Sequence, residues 1–458
     1  MSPDFPGLDQ GARIAILGGG PAGTLCAFML QKMAREAGKE FDIVIFERRD
    51  FRAFGAYGCN MCAGVISSVF INSLSALGIA IPEKVIQREI TGHCLETKAG
   101  GLRMAKDPGV LIYTVYRGIG PPGLEFDKER SFDFFLLRTA IEQGVRCVNT
   151  QIRNVRLSRG QPGGPVTVEL EDGSYEADLV VGAFGVNSEL CGVFEKLDFG
   201  YRRPRTEKAC LAEIPLPEDF VSRGCRDEIK VFALGIPGVR FGAITPKRKH
   251  VTVSLVGKGV SRSTLEAFLM HPRVKAHFPD GWEPPSEYCM CFPRLPVSAA
   301  RRPFHDRIVI VGDANISRYV KNGIESSLFT ARAAALTVAE KGVTRNDFRS
   351  HAVRECRSRY YVDNAFGKVL FALNDVISKY HLLASSHLFV ARKEQELQPK
   401  SRGLNRVLWN IFTGDAPYVE IFKKSLGPTL QARLLRELAR TAWRRIWRGN
   451  RNAEEELS

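Results

Sequence analysis

The sequence predicts an α/β protein: a Rossmann-like dinucleotide-binding domain assembled from discontinuous segments, an antiparallel-sheet domain between them, and a helical C-terminal region. Three observations predict it. A glycine-rich turn joins an apolar strand to a helix at 13–47, and a second strand-turn-helix with a Gly-Asp pair lies far downstream, at 307–335. Strand-like runs separated by turn residues occupy 229–256, and from about 346 the chain reads as amphipathic basic helices.

The first unit reads "RIAILGGGPAGTLCAFMLQKMAREAGKEFDIVIFE". An apolar strand runs into Gly18, Gly20, Pro21, Ala22 and Gly23, a helix follows, and a second strand ends on Glu47 and Arg48. Strand, turn, helix, strand and acid fall in the order a dinucleotide requires. The glycines allow a tight turn, close approach of backbone to a pyrophosphate, and close helix-to-strand packing. The helix N-terminus offers oriented N–H groups to the phosphates, and Glu47 accepts from ribose hydroxyls. An acid at this position suits FAD or NAD better than NADP.

The second unit, "RIVIVGDANISRYVKNGIESSLFTARAAA", brings a buried strand to Gly312 and Asp313, then a loop containing Lys321, then Gly323 and Ile324 at the start of a helix. This pair of motifs resembles the flavoproteins with two dinucleotide-fold motifs, related to p-hydroxybenzoate hydroxylase. The resemblance implies that Asp313 binds the ribityl chain of FAD and that the following helix N-terminus faces the flavin. FAD is therefore the expected cofactor.

Between these motifs lie "CAGVIS" from Cys62, "VYRG" with Arg117, and "SFDFFLLRTAIEQGV" with Phe132 and Asp133. Here the chain is similar to the geranylgeranyl reductase family, FAD-dependent oxidoreductases that saturate carbon–carbon double bonds of isoprenoid chains. The resemblance covers residues 11–345. It implies an FAD-binding domain of 11–68, 107–190 and 298–345 and a substrate domain of 69–106 and 191–297, while the amphipathic, basic pieces of 346–458 are read from their own sequence as a helical, membrane-associated C-terminal region. It also places Phe241 and Pro246 of "FGAITPK" at the substrate pocket, with Ala243 where the family carries tryptophan. In "DLVVGAFGVNS" Phe184 stands where related flavin hydroxylases carry aspartate, which weakens a hydroxylase reading.

The cysteines leave alternatives open. Eleven are scattered along the chain, and only Cys59/Cys62 and Cys289/Cys291 form close pairs. Cys-x-x-Cys with Cys-x-Cys admits zinc or an iron–sulfur cluster, a redox pair, or packing beside the flavin. The family match favours Cys62 as a wall of the active site. Cys62 and Tyr57 are candidate proton donors, with a bound water as the alternative, and Lys321 is placed to orient flavin or a lipid headgroup.

The expected reaction is reduction of a double bond in an isoprenoid or other membrane lipid by hydride from reduced FAD. The alternatives are a flavin-dependent monooxygenase and a membrane-docked electron-transfer flavoprotein acting on quinone. The electron donor is NAD(P)H or a ferredoxin-like protein.

The formal charge of +15, from 65 basic and 50 acidic residues, favours an anionic partner. Nucleic acid is not expected, because no recognition module accompanies the charge. The last helix points instead to an anionic membrane surface. Leu430, Leu434, Leu438, Ala442 and Ile446 recur every four residues, Trp443 and Trp447 border them, and Arg433, Arg436, Arg440, Arg444, Arg445 and Arg448 fill the remainder. With no basic-then-apolar leader and no run near the roughly 20 apolar residues of a span, the chain is expected to be cytoplasmic, peripheral on the inner face of the cell membrane.

Overall fold

The computed structural model describes residues 4–106, 109–158, 163–398 and 401–455, with side chains as far as Trp443 in the last helix. The chain forms two compact units. One comprises Met1–Glu89, Leu111–Glu213 and Glu287–Asn364, the other Ile90–Val110, Ile214–Ser286 and Ala365–Ser458.

The elements used below are β1 (Arg13–Leu17), α1 (Pro21–Glu36), β2 (Asp42–Glu47), α2 (Phe132–Glu142), β3 (Arg146–Asn149), β4 (Leu179–Gly182), β5 (Phe304–His305), β6 (Ile308–Ile310), α3 (Gly323–Glu340), α4 (Ala352–Lys379), α5 (His381–Gln395) and α6 (Pro428–Glu455). In the first unit the six strands form one sheet in the order β5-β6-β4-β1-β2-β3. All neighbours are parallel except β5 and β6. Parallel strands covered on both faces must be apolar along their length, and "RIAIL" and "DIVIFE" are buried almost throughout. The strand order reverses at β1, which has β2 on one side and β4 on the other. Ligands of such sheets bind outside the carboxyl ends of the strands at that point, where the glycine turn lies.

Helices α1 and α3 share one core, with Leu25, Cys26 and Leu30 of α1 and Ala331, Ala334 and Ala335 of α3 fully buried. The alanines let the two helices approach closely. Smaller antiparallel sheets complete the unit. Ile152–Leu157, Val166–Leu170 and Gly173–Ala177 form a meander; in the hairpin loop expected at 158–165, residues 159–162 lie outside the described residues. Val65–Ser67, Ile112–Val115 and Ile86–Glu89 form a second sheet, and Thr206–Pro215 pairs with the Cys289–Cys291 strand.

The second unit contains the antiparallel sheet expected from composition. His250–Val256, Phe241–Pro246, Glu228–Ala233, Gly92–Thr97 and Gly100–Ala105 lie in that order, with one parallel pair in the middle. Helices Gly403–Thr413 and Tyr418–Ser425 follow α5, and α6 ends the chain. Among the described residues no helix is long and apolar enough to cross a membrane.

The stripe expected to face lipid on α6 is used inside this unit. Leu430 is buried, Leu434, Leu438 and Ala442 are half-buried, and α6 packs against α5. Arg433 pairs at 3.3 Å with Glu394 of α5, a carboxylate that is itself buried. This part of α6 therefore packs on its own protein, because a regular apolar stripe fits a neighbouring helix as well as a bilayer. Trp443 remains exposed. Arg444, Arg445, Ile446, Trp447 and Arg448 lie outside the described side chains.

Candidate active site

The glycine turn is built for a ligand as well as for packing. At Gly23 a Cβ would stand 1.9 Å from the Gly18 carbonyl, so packing alone demands glycine there. At Gly20, whose φ of −67° any residue can adopt, a Cβ would meet nothing nearer than the Asn60 amide at 3.5 Å. Nothing in the protein demands glycine at 20. The space it leaves lies at the N-terminus of α1, where Pro21 and Ala22 are the first buried helical residues and no side chain caps the helix. Glu47, at the end of β2, is buried and accepts from the Gly19 N–H at 2.7 Å and the Arg49 N–H at 2.9 Å. It fixes the turn and keeps lone pairs for further donors. Arg48 is exposed, whereas Arg49 turns inward to Asn60 Oδ1 at 2.6 Å.

The downstream motif arrives through β6. Gly312 takes φ +68°, and Asp313 is enclosed. Its Oδ1 is buried with no hydrogen-bond partner among the described residues. An orphaned carboxylate oxygen is costly unless a donor arrives, and ribityl hydroxyls are such donors. Burial pushes the Asp313 carboxyl above its ordinary range, while a hydrogen bond from Ser317 and the charge of Arg117 pull it back. Gly323 opens α3 beside it, its Cβ position 3.5 Å from Asp313 Oδ1, and Ile324 is buried. These residues fit FAD: an open glycine cradle, an acid on β2, and a carboxylate with one oxygen left without a partner beside a helix start.

Arg117 ties the separated motifs together. Its Nε donates to Asp133 Oδ1 at 2.7 Å, and both side chains are buried. Asp133 sits in the first turn of α2, held by Ser131, which caps the helix by accepting from the Phe134 N–H at 3.1 Å and donates to the Arg117 carbonyl at 3.2 Å. The other oxygen of Asp133 accepts from the Asn60 amide. Arg49, Asn60, Asp133 and Arg117 thus form one chain of hydrogen bonds. Burial opposes the charge on Arg117, but Asp133 and the nearby Cys62 and Cys59 raise its pKa overall. So Arg117 lies within electrostatic reach of Asp313, Cys59 and Cys62, residues from the first and last thirds of the sequence.

Cys59 and Cys62 flank Asn60 in a tight turn in which each sulfur accepts an N–H two residues on, from Met61 at 3.3 Å and Gly64 at 3.4 Å. Cys62 is half-buried against the core of the first unit. Cys289 and Cys291 stand on the strand opposite Glu213 and Leu211. The Cys291 thiol is pushed up first by burial and then by Cys59, Cys289 and Cys210, so of the first pair it is Cys59 that lies within electrostatic reach of Cys291. All eleven cysteines are free thiols, and among the described residues no group of three or more His, Cys, Asp or Glu side chains is placed to hold a metal ion. Cys59, Cys62, Cys289 and Cys291 thus do not form the tetrahedral set that zinc or a cluster needs.

Tyr57 ends a 3-10 turn, 82% exposed and outside the Arg117 chain. Lys321 is half-buried in the loop before α3, between Val320 and Asn322, both with left-handed backbone at φ 64° and 53°. A β-branched residue rarely adopts that region. The loop is pinned from α4: Asn364 accepts from the Tyr319 N–H at 2.8 Å and donates to the Ser317 carbonyl at 2.9 Å. Phe241 and Pro246 belong to the second unit. Phe241 lines a small apolar recess with Phe232, Leu234 and Phe268, and Pro246 is buried in its strand.

Known proteins share this arrangement along most of the chain. No family model matches it. A geranylgeranyl diphosphate reductase from Synechocystis sp. is 22% identical over 396 residues, 82% of this chain and 88% of the relative. In sequence the chain is similar to that reductase along most of its length. In fold it is similar to a geranylgeranyl bacteriochlorophyll reductase-like protein from Thermoplasma acidophilum, with a TM-score of 0.61 and 15% identity, covering 94% of this chain and 99% of that one. A flavoprotein/dehydrogenase from Cytophaga hutchinsonii is similar to the same degree, at TM-score 0.61 and 15% identity, covering 93% and 99%. Fold and paired motifs are those of an FAD-dependent oxidoreductase.

Sequence reasoning passed over Asn60, Arg49 and Asn364. The first two are common polar residues whose partners lie up to 73 positions away, and only the cysteines around Asn60 drew attention to its segment.

Proposed function

We propose that the chain reduces carbon–carbon double bonds in the isoprenoid part of a lipid, with FAD as its bound cofactor. The observation that carries this reading is the site that fits FAD: the open cradle at Gly20, the buried Asp313 oxygen without a partner, and the buried Arg117–Asp133 pair. The geranylgeranyl diphosphate reductase relative supports the substrate class. Reduced FAD, when bound, supplies the hydride that one carbon of the alkene takes up.

The chain's own residues do the rest. Gly18 to Gly23 and the start of α1 hold the pyrophosphate, Glu47 the ribose, and Asp313 the ribityl hydroxyls. The Arg117–Asp133 pair keeps a fixed positive charge at the site, and the buried walls exclude water. Cys62 delivers the proton to the second carbon, since Tyr57 stands in solvent. The reductant is NAD(P)H or a ferredoxin-like protein.

A monooxygenase is the weaker reading. Phe184, at the position where hydroxylases carry aspartate, packs on Phe194 with ring centroids 4.8 Å apart and offers no polar group. Electron transfer through a cluster lacks its ligand set among the described residues.

The test is anaerobic. FAD-loaded protein, reduced with dithionite, is mixed with a short, water-soluble isoprenoid alkene. Flavin reoxidation with a product two hydrogens heavier is expected. Reoxidation only on admitting oxygen, with oxygen in the product, would instead make it a monooxygenase.

A further inference from the structure

With the apolar stripe of α6 turned onto α5, the exposed apolar ridge of the second unit is found on α4. Val369, Leu373, Val376 and Tyr380 are each 45–52% exposed. Val369, Leu373 and Val376, spaced four and three residues apart, lie in one line along the helix, about 10 Å long at 1.5 Å per residue, and Tyr380 follows just past its last residue, Lys379. The opposite face is occupied by Phe371, which meets Phe241 at 6.0 Å, and on the flank the half-buried Asp375 pairs with Arg240 at 3.1 Å. Between Ala365 and Tyr380 the charged residues are Lys368, Asp375 and Lys379. Asp375 shares the flank of Lys379, four residues on, but it is paired with Arg240, so the two exposed lysines carry the net charge beside the ridge. Lys379 lies 5.6 Å from the Tyr380 ring centroid.

We infer that this ridge is the surface by which the protein docks on an anionic lipid bilayer. The inference rests on the proposed lipid substrate for its purpose, though not for its geometry. An apolar line edged by lysines and ending in tyrosine matches an interface where hydrocarbon lies beside anionic headgroups. The lysine stems can lie along the apolar layer while the ammonium groups reach phosphate. A second copy of the chain fits less well. A two-fold contact would set the ridge against itself and bring lysine to lysine in either helix orientation, Lys368 against Lys368 or against Lys379. The charge of +15 for the whole chain acts in the same direction.

The test uses the full, FAD-loaded chain and phosphatidylcholine vesicles with or without phosphatidylglycerol. The wild type should sediment with the anionic vesicles and be released by salt. Leu373→Glu/Val376→Glu should lower partitioning roughly tenfold or more. Both positions are exposed, so FAD binding and circular dichroism should be unchanged. Lys368→Glu/Lys379→Glu, an independent pair, should abolish the preference for anionic vesicles. Equal sedimentation of wild type and the Leu373/Val376 variant overturns the proposal, as does a wild type that does not sediment. Light scattering that shows a wild-type dimer broken by the same variant, without vesicle binding, assigns the ridge to a second copy. Reduction of the short alkene is measured in parallel. If it proceeds while vesicle binding fails, the surface is wrong and the enzymatic reading stands; if binding depends on the ridge and no alkene is reduced, the enzymatic reading falls alone.

Discussion

At Gly20 and Asp313 the protein leaves room and bonding capacity that its own atoms do not use. Gly20→Val should therefore fold, since its Cβ would meet only the Asn60 side chain, yet lose FAD because the pyrophosphate must approach that backbone. Asp313→Asn should weaken FAD by roughly 10- to 100-fold, the worth of about 1.5–3 kcal/mol for hydrogen bonds to a charged group. The same change should help the apo-protein. Because the folded pKa of Asp313 is raised above 3.8, the native state holds the proton more tightly than the unfolded chain. Stability linked to this group is full below that ordinary value and is lost as pH rises through the folded pKa. Asp313→Asn should flatten that decline. Thermal unfolding of apo-protein between acid and neutral pH, with FAD titrations, checks both parts; an apo-protein whose stability falls with pH as steeply as wild type would assign the penalty elsewhere. Local signals of this kind were legible in the sequence: β1, α1, β2 and the glycines occupy one contiguous stretch and betray themselves by order and spacing. The Arg117–Asp133 pair came through resemblance, since neither residue type is unusual. Asn60 came from neither, because its meaning depends on a partner brought close only by the fold.

Among the elements, the segment between Asp313 and α3 is held from outside itself. Val320 and Asn322 keep left-handed backbone, at a cost of about 1–3 kcal/mol for a residue such as valine, which persists only where surroundings enforce it. Asn364 is the chief enforcer, through Tyr319 and Ser317, and Asn322 donates to Glu325 at 3.0 Å. Asn364→Ala would leave a buried N–H and a buried carbonyl unpaired, costing about 1–3 kcal/mol. The expected result is faster hydrogen exchange at the Tyr319 amide and weaker FAD binding, with β1, β2 and α1 protected as before. Unchanged exchange at Tyr319 would show that the loop holds its own shape. Element types were readable where one face is apolar and one polar, as in the strands of the second unit. On α4 both faces are apolar, with Leu370 and Phe371 turned inward and Val369 and Leu373 outward, so periodicity could not say which face is covered. On α6 the stripe was plain, but its partner α5 was not, because that pairing is set by tertiary structure.

Over the whole molecule, the C-terminal helix is a structural member before it is anything else. Glu394 of α5 is a buried carboxylate, and it accepts from the Leu404 N–H at 2.7 Å and the Asn405 N–H at 3.1 Å as well as pairing with Arg433 of α6. Removing residues 428–458 would take away Arg433 and uncover the surface on which Leu430 packs. Arg433 is about a third exposed and Glu394 keeps its N–H donors, so losing this pair costs less than the about 3–5 kcal/mol of a fully buried one, yet still a sizeable part of the about 5–15 kcal/mol that holds a protein together. Ending the chain after Trp443 should remove basic charge while keeping Arg433, Leu430 and Leu438 in place. The shorter deletion should thus melt close to the full chain and the longer one several degrees lower, with aggregation as the α5 surface opens. Thermal denaturation of both, beside Arg433→Met in the full chain, separates the causes. Arg433→Met keeps the apolar contacts and takes the cation from Glu394 and a donor from the Ser401 carbonyl, so it should fall between the two deletions. If the 428–458 deletion melts with the full chain, α6 contributes nothing to the unit, and its apolar stripe would again be available to a membrane.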